Sequence, residues 1–275
     1  SKTFGTGEKI NWLGKIGLIG GVTTAIYVMR EIYAVMGERF MMYAPILPDG
    51  LDMARRAMKN TRIIPEYRLK LQESFAHYLD QVVGTPTSVE NIPSLSGKFM
   101  EELLKLAEFA TRSRSPVDRS FGPNKEITFI HPPEIPTRFS SQLQSLAMAL
   151  MLMNETQELL DLDRQILYKL AFDSIGLLRR QCLEELARYR NIETAGLAIK
   201  LNYPTTTVRY ALEELTALKV ADRVKEKGEN IWSIKEKYRI LIEKYEGIKM
   251  RDMDLIEETI EETEPELMIE ETESL

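Results

Sequence analysis

The sequence predicts a mainly α-helical chain with short β elements, and three observations carry that prediction. Apolar residues recur at helical spacing between Leu51 and Ser174, and a helix, helix, helix, hairpin order runs from Leu178 to Tyr245. One continuous apolar run lies near the start, from Gly14 to Thr23. The first two make helices dominant, and the third adds a partial α/β unit at the N-terminal end.

A chain of 275 residues holds two or three modules and buries a core of its own. Hydrophobic content of 44% beside 28% charge excludes a wholly disordered or membrane-embedded chain. The single cysteine, Cys182, permits no internal disulfide, and the separated His77 and His131 form no zinc-finger or Cys/His cluster. Metal and thiol chemistry are not expected. The longest uncharged apolar stretch, Ile16 to Met29, is 14 residues, whereas a bilayer span needs about 20. A cytoplasmic protein with no membrane partner is therefore expected. The opening Ser1-Lys-Thr-Phe-Gly has neither an initiator Met nor a signal-peptide pattern, which suggests a fragment.

The net charge of −6 hides an asymmetry. Residues 248–275 hold 11 acidic residues against Lys249 and Arg251, which leaves the body at +3. Repelling pairs such as Glu257-Glu258 and Glu261-Glu262 read as a solvated, disordered tail. The sharper alternative is a DNA-mimicking arm that competes for the basic surface.

Taken in order, Gly14 to Thr23 reads as a buried strand suited to a parallel sheet. Thr24 to Met36 then has helical spacing, with Gly37 as its C-terminal cap. Phe40 to Ala44 reads as the next strand, stopped by Pro45 and Pro48. Helices follow over Leu51 to Asn60 and Ile64 to Val83, then a Pro, Ser and Thr linker over Gly84 to Gly97. A helix from Lys98 to Thr111 leads into an arginine-rich stretch to Arg119, a hairpin around Phe121 to Ile130, and the connector His131 to Pro136. Pro136 opens the helix Thr137 to Met153, whose Met-rich end reads as core, and Leu162 to Ser174 adds another.

The last segment has the order of a winged helix-turn-helix: helices Leu178 to Arg190, Glu193 to Leu201 and Thr205 to Lys219, strands Ala221 to Lys225 and Asn230 to Ile234, and a closing helix from Lys235. Asn202 to Pro204 makes the turn. Val208, Leu212 and Leu215 face the core, which leaves Thr206, Thr207, Arg209 and Tyr210 at the exposed start of the second helix of the motif. Hydroxyls and a helix N-terminus suit phosphate, and Arg suits a base edge or phosphate. The hairpin adds Arg223, Lys225 and Lys227. DNA is the expected partner, and a winged helix used for protein contacts is the alternative. The cluster Arg112, Arg114, Arg119 reads either as a solvated loop or as a second nucleic-acid contact.

The run Trp12 to Arg39, with Gly20-Gly21-Val22-Thr23 and Gly37-Glu38-Arg39-Phe40, resembles the second half of a AAA+ ATPase core. Ile135-Pro-Thr-Arg138-Phe-Ser-Ser-Gln-Leu resembles the second-sensor helix of the lid in that family. The order of lid then winged helix is similar to minichromosome-maintenance and phage or mobile-element helicases. The resemblance implies a partial core over residues 1–83, a helical lid over 84–176, the winged helix over 177–246 and the acidic tail over 247–275. It also implies roles: Thr23 as first sensor, Arg39 as an arginine finger reaching the neighbouring subunit of a homo-oligomeric ring, and Arg138 at the γ-phosphate. ATP and Mg would be cofactors of the complete protein. No phosphate-cradle motif and no strand ending in an acidic pair occurs in the sequence, so the chain alone is expected to bind no nucleotide tightly and to hydrolyse none.

The residues themselves also allow plainer readings. Thr23 suits a helix cap, Arg39 an ion pair with Glu31 or Glu38, and Arg138 a solvated first turn. A non-enzymatic winged-helix regulator is the rival function.

Overall fold

In a computed structural model, the described residues are 2–3, 9–10, 17–23, 26, 39–45, 49–83, 92–226 and 228–247. Strands β1 (Lys2–Thr3) and β2 (Lys9–Ile10) pair antiparallel with each other. Helices α1 (Gly50–Asn60) and α2 (Ile64–Val83) follow. The body begins with α3 (Gly97–Arg114), then the hairpin β3 (Val117–Arg119) and β4 (Ile127–Ile130), then α4 (Thr137–Met153) and α5 (Asp161–Asp173). The last module holds α6 (Leu177–Arg188), β5 (Ile192–Glu193), α7 (Thr194–Leu201), α8 (Thr205–Ala217), β6 (Ala221–Glu226), β7 (Glu229–Ile234) and α9 (236–247). The described residues are mainly helical with small antiparallel sheets, as the sequence predicts.

The N-terminal expectations need correction. Residues 17–23 of the expected buried strand are irregular, with Ile19 fully exposed and Leu18 and Val22 also in solvent. Residues 40–44 form no strand either. An apolar run becomes a buried strand only between neighbours that pair with it, and β1 and β2, the strands described nearby, pair with each other instead. The helix expected over Thr24 to Met36 lies outside the described residues except at Ile26, which is helical. The acidic tail over residues 248–275 lies outside them too.

Elsewhere the local rules operate as expected. The Ser96 hydroxyl accepts from Phe99 N at 3.4 Å and caps α3, and Ser115-Pro116 ends that helix. Asp163 starts α5 by accepting from Leu160 N at 2.9 Å. Asn202 closes α7 in the left-handed region at φ 53, a conformation its short polar side chain tolerates. Gly228, at φ 93, takes the left-handed backbone that glycine tolerates in the short connection between β6 and β7.

One buried core runs from Phe99 to Tyr245 without a break at the expected 176/177 boundary. Phe172 stacks on Tyr245 at 4.0 Å, and Phe109 meets both Phe172 and Tyr238, at 5.4 and 5.1 Å. Helix α9 is thus seated against α3 and α5 by its own aromatics. Beneath them, the fully buried Asp173 carboxylate accepts from Lys169 at 2.9 Å, from Arg180, and from the backbone N of Ala44 at 2.8 Å. Those bonds pin the segment 39–45 along the bundle in place of the expected strand pairing. Burial pushes the Cys182 thiol up to about 12, so it behaves as a core residue. No helix among the described residues is long and apolar enough to cross a membrane.

Candidate nucleic-acid interface

The candidate surface is built on α8. Val208, Ala211, Leu212 and Leu215 bury one side of this helix against α6 and α7, and the 3.6-residue period therefore turns Thr206, Arg209 and Glu213 outward. Thr206 is exposed and Thr207 half-buried. Pro204 precedes the helix, so its first turn carries free N–H groups with no side-chain cap. Behind it, β5, β7 and β6 form a three-stranded antiparallel sheet in that order, with Ile192 opposite Trp232. Trp232 is fully buried, and its Nε1 donates to Thr194 Oγ1 at 2.8 Å, which fixes the start of α7 to the sheet.

The sequence-predicted cations divide. Arg209 keeps 41% of its side chain exposed and meets Glu213 only at 3.7 Å. Arg223 and Lys225 are exposed on β6; the Arg223 guanidinium stands 5.7 Å from the Trp232 ring. Lys227 lies outside the described residues. Tyr210 is not simply free, because its ring has Arg119, Arg209 and Lys125 at 4.6, 5.1 and 5.9 Å.

The cluster Arg112, Arg114, Arg119 is neither a solvated loop nor an open cationic patch. Arg112 bonds Glu108 at 2.7 Å, and Arg114 bonds Glu134 at 2.6 Å while covering the Phe139 ring at 4.6 Å. Arg119, 12% exposed, reaches Glu214 at 2.7 Å, Glu213 at 3.1 Å and the carbonyl of Tyr210 at 2.7 Å. Glu214 also receives Arg179, at 2.9 Å, whose other nitrogen donates to the carbonyls of Ser113 and Ser115. A single carboxylate on the far half of α8 thereby joins the hairpin, α6 and the end of α3. Sequence reasoning missed this hub. Its only signal was Glu213-Glu214 lying outside the apolar stripe of a helix otherwise rich in donors.

The three residues assigned by resemblance lie apart from α8's contacts. Thr23 is exposed, and its carbonyl accepts from Ile26 N at 3.1 Å. Arg39 is exposed, and its carbonyl accepts from Gln142 Nε2 at 2.9 Å. Arg138 is exposed in the first turn of α4, one helical turn before Gln142. Arg39 and Arg138 therefore lie on the same side of α4, and Thr23 has no bond to either.

A separate cleft of about 330 Å³ lies between α3, α5 and α9. Lys244 and the Tyr168 hydroxyl both donate to Glu102 at 2.6 Å. Burial alone would raise the Glu102 carboxyl, but those two bonds bring it below its ordinary value. Glu102, Tyr168 and Lys244 are thus bonded to one another within that cleft. Among the described residues, no group of three or more His, Cys, Asp and Glu is placed to hold a metal ion.

No family model matches the chain, and neither curated proteins nor solved structures give a match.

Proposed function

We propose that the chain binds DNA through a winged helix-turn-helix formed by residues 177–247, with α8 as the groove-facing helix and the β6–β7 turn as the wing. One observation carries this reading: α8 is buried along one side and clamped at its far half, while its first two turns keep Thr206, Arg209 and the uncapped N–H groups at the surface. That is where such a helix meets a duplex. The helix N-terminus and Thr206 address a phosphate, Arg209 addresses a base edge or phosphate, and Arg223 and Lys225 reach the flanking backbone. Helix and wing act from a rigid base, since Glu214 ties α8 to the helical body.

The test is fluorescence anisotropy with a labelled duplex across salt concentrations. Each neutralised phosphate releases counterions, so four or so contacts lower affinity by roughly a hundred-fold between about 50 and 200 mM salt. Binding that ignores salt, or no binding, contradicts the proposal.

A second reading places this module in the cytoplasm at the C-terminal end of a AAA+ ATPase of helicase or translocase type, working as a homo-oligomeric ring with ATP and Mg. The observation that favours it is the exposure of both Arg39 and Arg138, guanidinium groups of the kind that suit a polyphosphate. In this reading Arg39 reaches the neighbouring subunit's nucleotide and Arg138 the γ-phosphate of its own, as the resemblance implies. In protein that carries a nucleotide-binding core, Arg39→Ala and Arg138→Ala each abolish turnover. Preserved turnover in both removes the finger and sensor assignments, whereas a wild type that shows no turnover favours a non-enzymatic DNA-binding regulator.

A further inference from the structure

The β3–β4 hairpin carries an aromatic ring at full exposure. Phe121 sits in the turn Ser120-Phe121-Gly122-Pro123-Asn124-Lys125 with no shielding of its side chain. Single exposed apolar residues are ordinary on protein surfaces. This one differs in how its turn is held and in what stands beside it.

The turn is closed by two backbone bonds, Ser120 N to Glu126 O at 2.8 Å and Lys125 N to Gly122 O at 3.1 Å. Lys125 takes the left-handed region at φ 44, a strained choice for a lysine, and the carbonyl of Lys125 is fixed by Arg119 at 2.7 Å. The same guanidinium grips Glu214 and the carbonyl of Tyr210. The hairpin is therefore referenced directly to the second turn of α8. Around the Tyr210 ring stand Lys125 from the turn and Arg209 from the helix, so the exposed Phe lies in the same short turn as a cation that borders the DNA-facing cations.

We propose that the tip of the β3–β4 hairpin is a second nucleic-acid contact, at which Phe121 stacks on an unpaired DNA base while Lys125 and Arg209 neutralise the adjoining phosphates. The inference rests on the DNA-binding reading of α8 and adds a preference that α8 alone does not supply. A flat, fully exposed ring offers a face to any base, whereas paired bases inside a duplex present only edges. The occupant is thus a single strand that continues from a bound duplex, read without sequence preference.

The experiment compares a blunt duplex with the same duplex carrying a single-stranded thymidine overhang, by anisotropy at fixed salt. Wild-type protein binds the overhang probe more tightly, and Phe121→Ala narrows the difference between the probes by roughly ten-fold, the usual loss of one base–aromatic stack. Phe121→Trp retains the difference, and its added fluorescence, read against Trp12 and Trp232 in the wild type, is quenched by oligothymidine. Equal probe discrimination by wild type and Phe121→Ala overturns the hairpin contact while leaving the α8 reading intact. Discrimination absent from the wild type also overturns it, and failure of wild type to bind either probe removes both readings.

Discussion

Two sets of arginines with the same formal charge occupy opposite circumstances. Arg112, Arg114 and Arg119 are each committed to a carboxylate of the body, and Arg119 is almost fully enclosed. Arg209 and Arg223, with Lys225, stand at the surface with at most a loose intramolecular contact. A guanidinium that has spent its donors on buried carboxylates contributes rigidity, whereas one left solvated keeps its charge available for a polyanion. Position in the fold, and not local sequence, decides which role an arginine takes.

Removing the anion at the centre of the committed set gives the largest effect. Glu214→Ala leaves Arg179 partly desolvated without its carboxylate and Arg119 with Glu213 alone, and we expect a loss of about 3 kcal/mol in denaturant unfolding. Loss below about 0.5 kcal/mol would mean the hub is a surface pair in effect. Because the hub orients α8, the same variant weakens duplex binding without touching DNA.

Next in size comes the wing. Arg223→Ala with Lys225→Ala leaves stability within about 0.5 kcal/mol, as surface substitutions do. The pair lowers duplex affinity by roughly ten-fold at low salt, through two lost phosphate contacts. A drop in melting temperature with intact affinity would move these residues into the committed class.

The smallest effect concerns acid beside the interface. The Glu193 carboxyl is raised above its ordinary value because it shares a hydrogen bond with Glu229 and is repelled by that residue's charge. A raised folded-state value means that the pair is most favourable when protonated, and that this favour is lost as pH rises through the folded-state value. Glu229→Gln therefore gives a slight gain in stability at neutral pH that disappears in acid, with a slight gain in DNA affinity. Thermal melts at pH 4 and 7 read the difference.

The helices from α3 to α9 were legible because each carries its own apolar period, with the turn Asn202-Tyr203-Pro204 as a stop signal, although α3 runs to Arg114 rather than to the expected Thr111. The buried side of α8 was legible for the same reason, from Val208, Leu212 and Leu215, whereas of the expected exposed set Thr207 is half-buried and Tyr210 packs against Arg119. What failed depended on partners distant in sequence. Gly14 to Thr23 has the composition of a buried strand, but composition cannot supply the neighbouring strands. The role of Arg119 is set by Glu214, 95 residues away, and the two-residue strand β5 exists only because Ile192 meets Trp232. Asp173 holding the backbone of Ala44 across 129 residues is the same kind of fact.

The most direct test of the central claim is the dependence of log duplex affinity on log salt for Arg209→Ala beside wild type, with melting temperatures recorded on the same samples. The account predicts a slope shallower by about one, the signature of one lost phosphate contact, at an unaltered melting temperature. An unchanged slope together with a lowered melting temperature would show that Arg209, like Arg119, serves the fold and not the DNA.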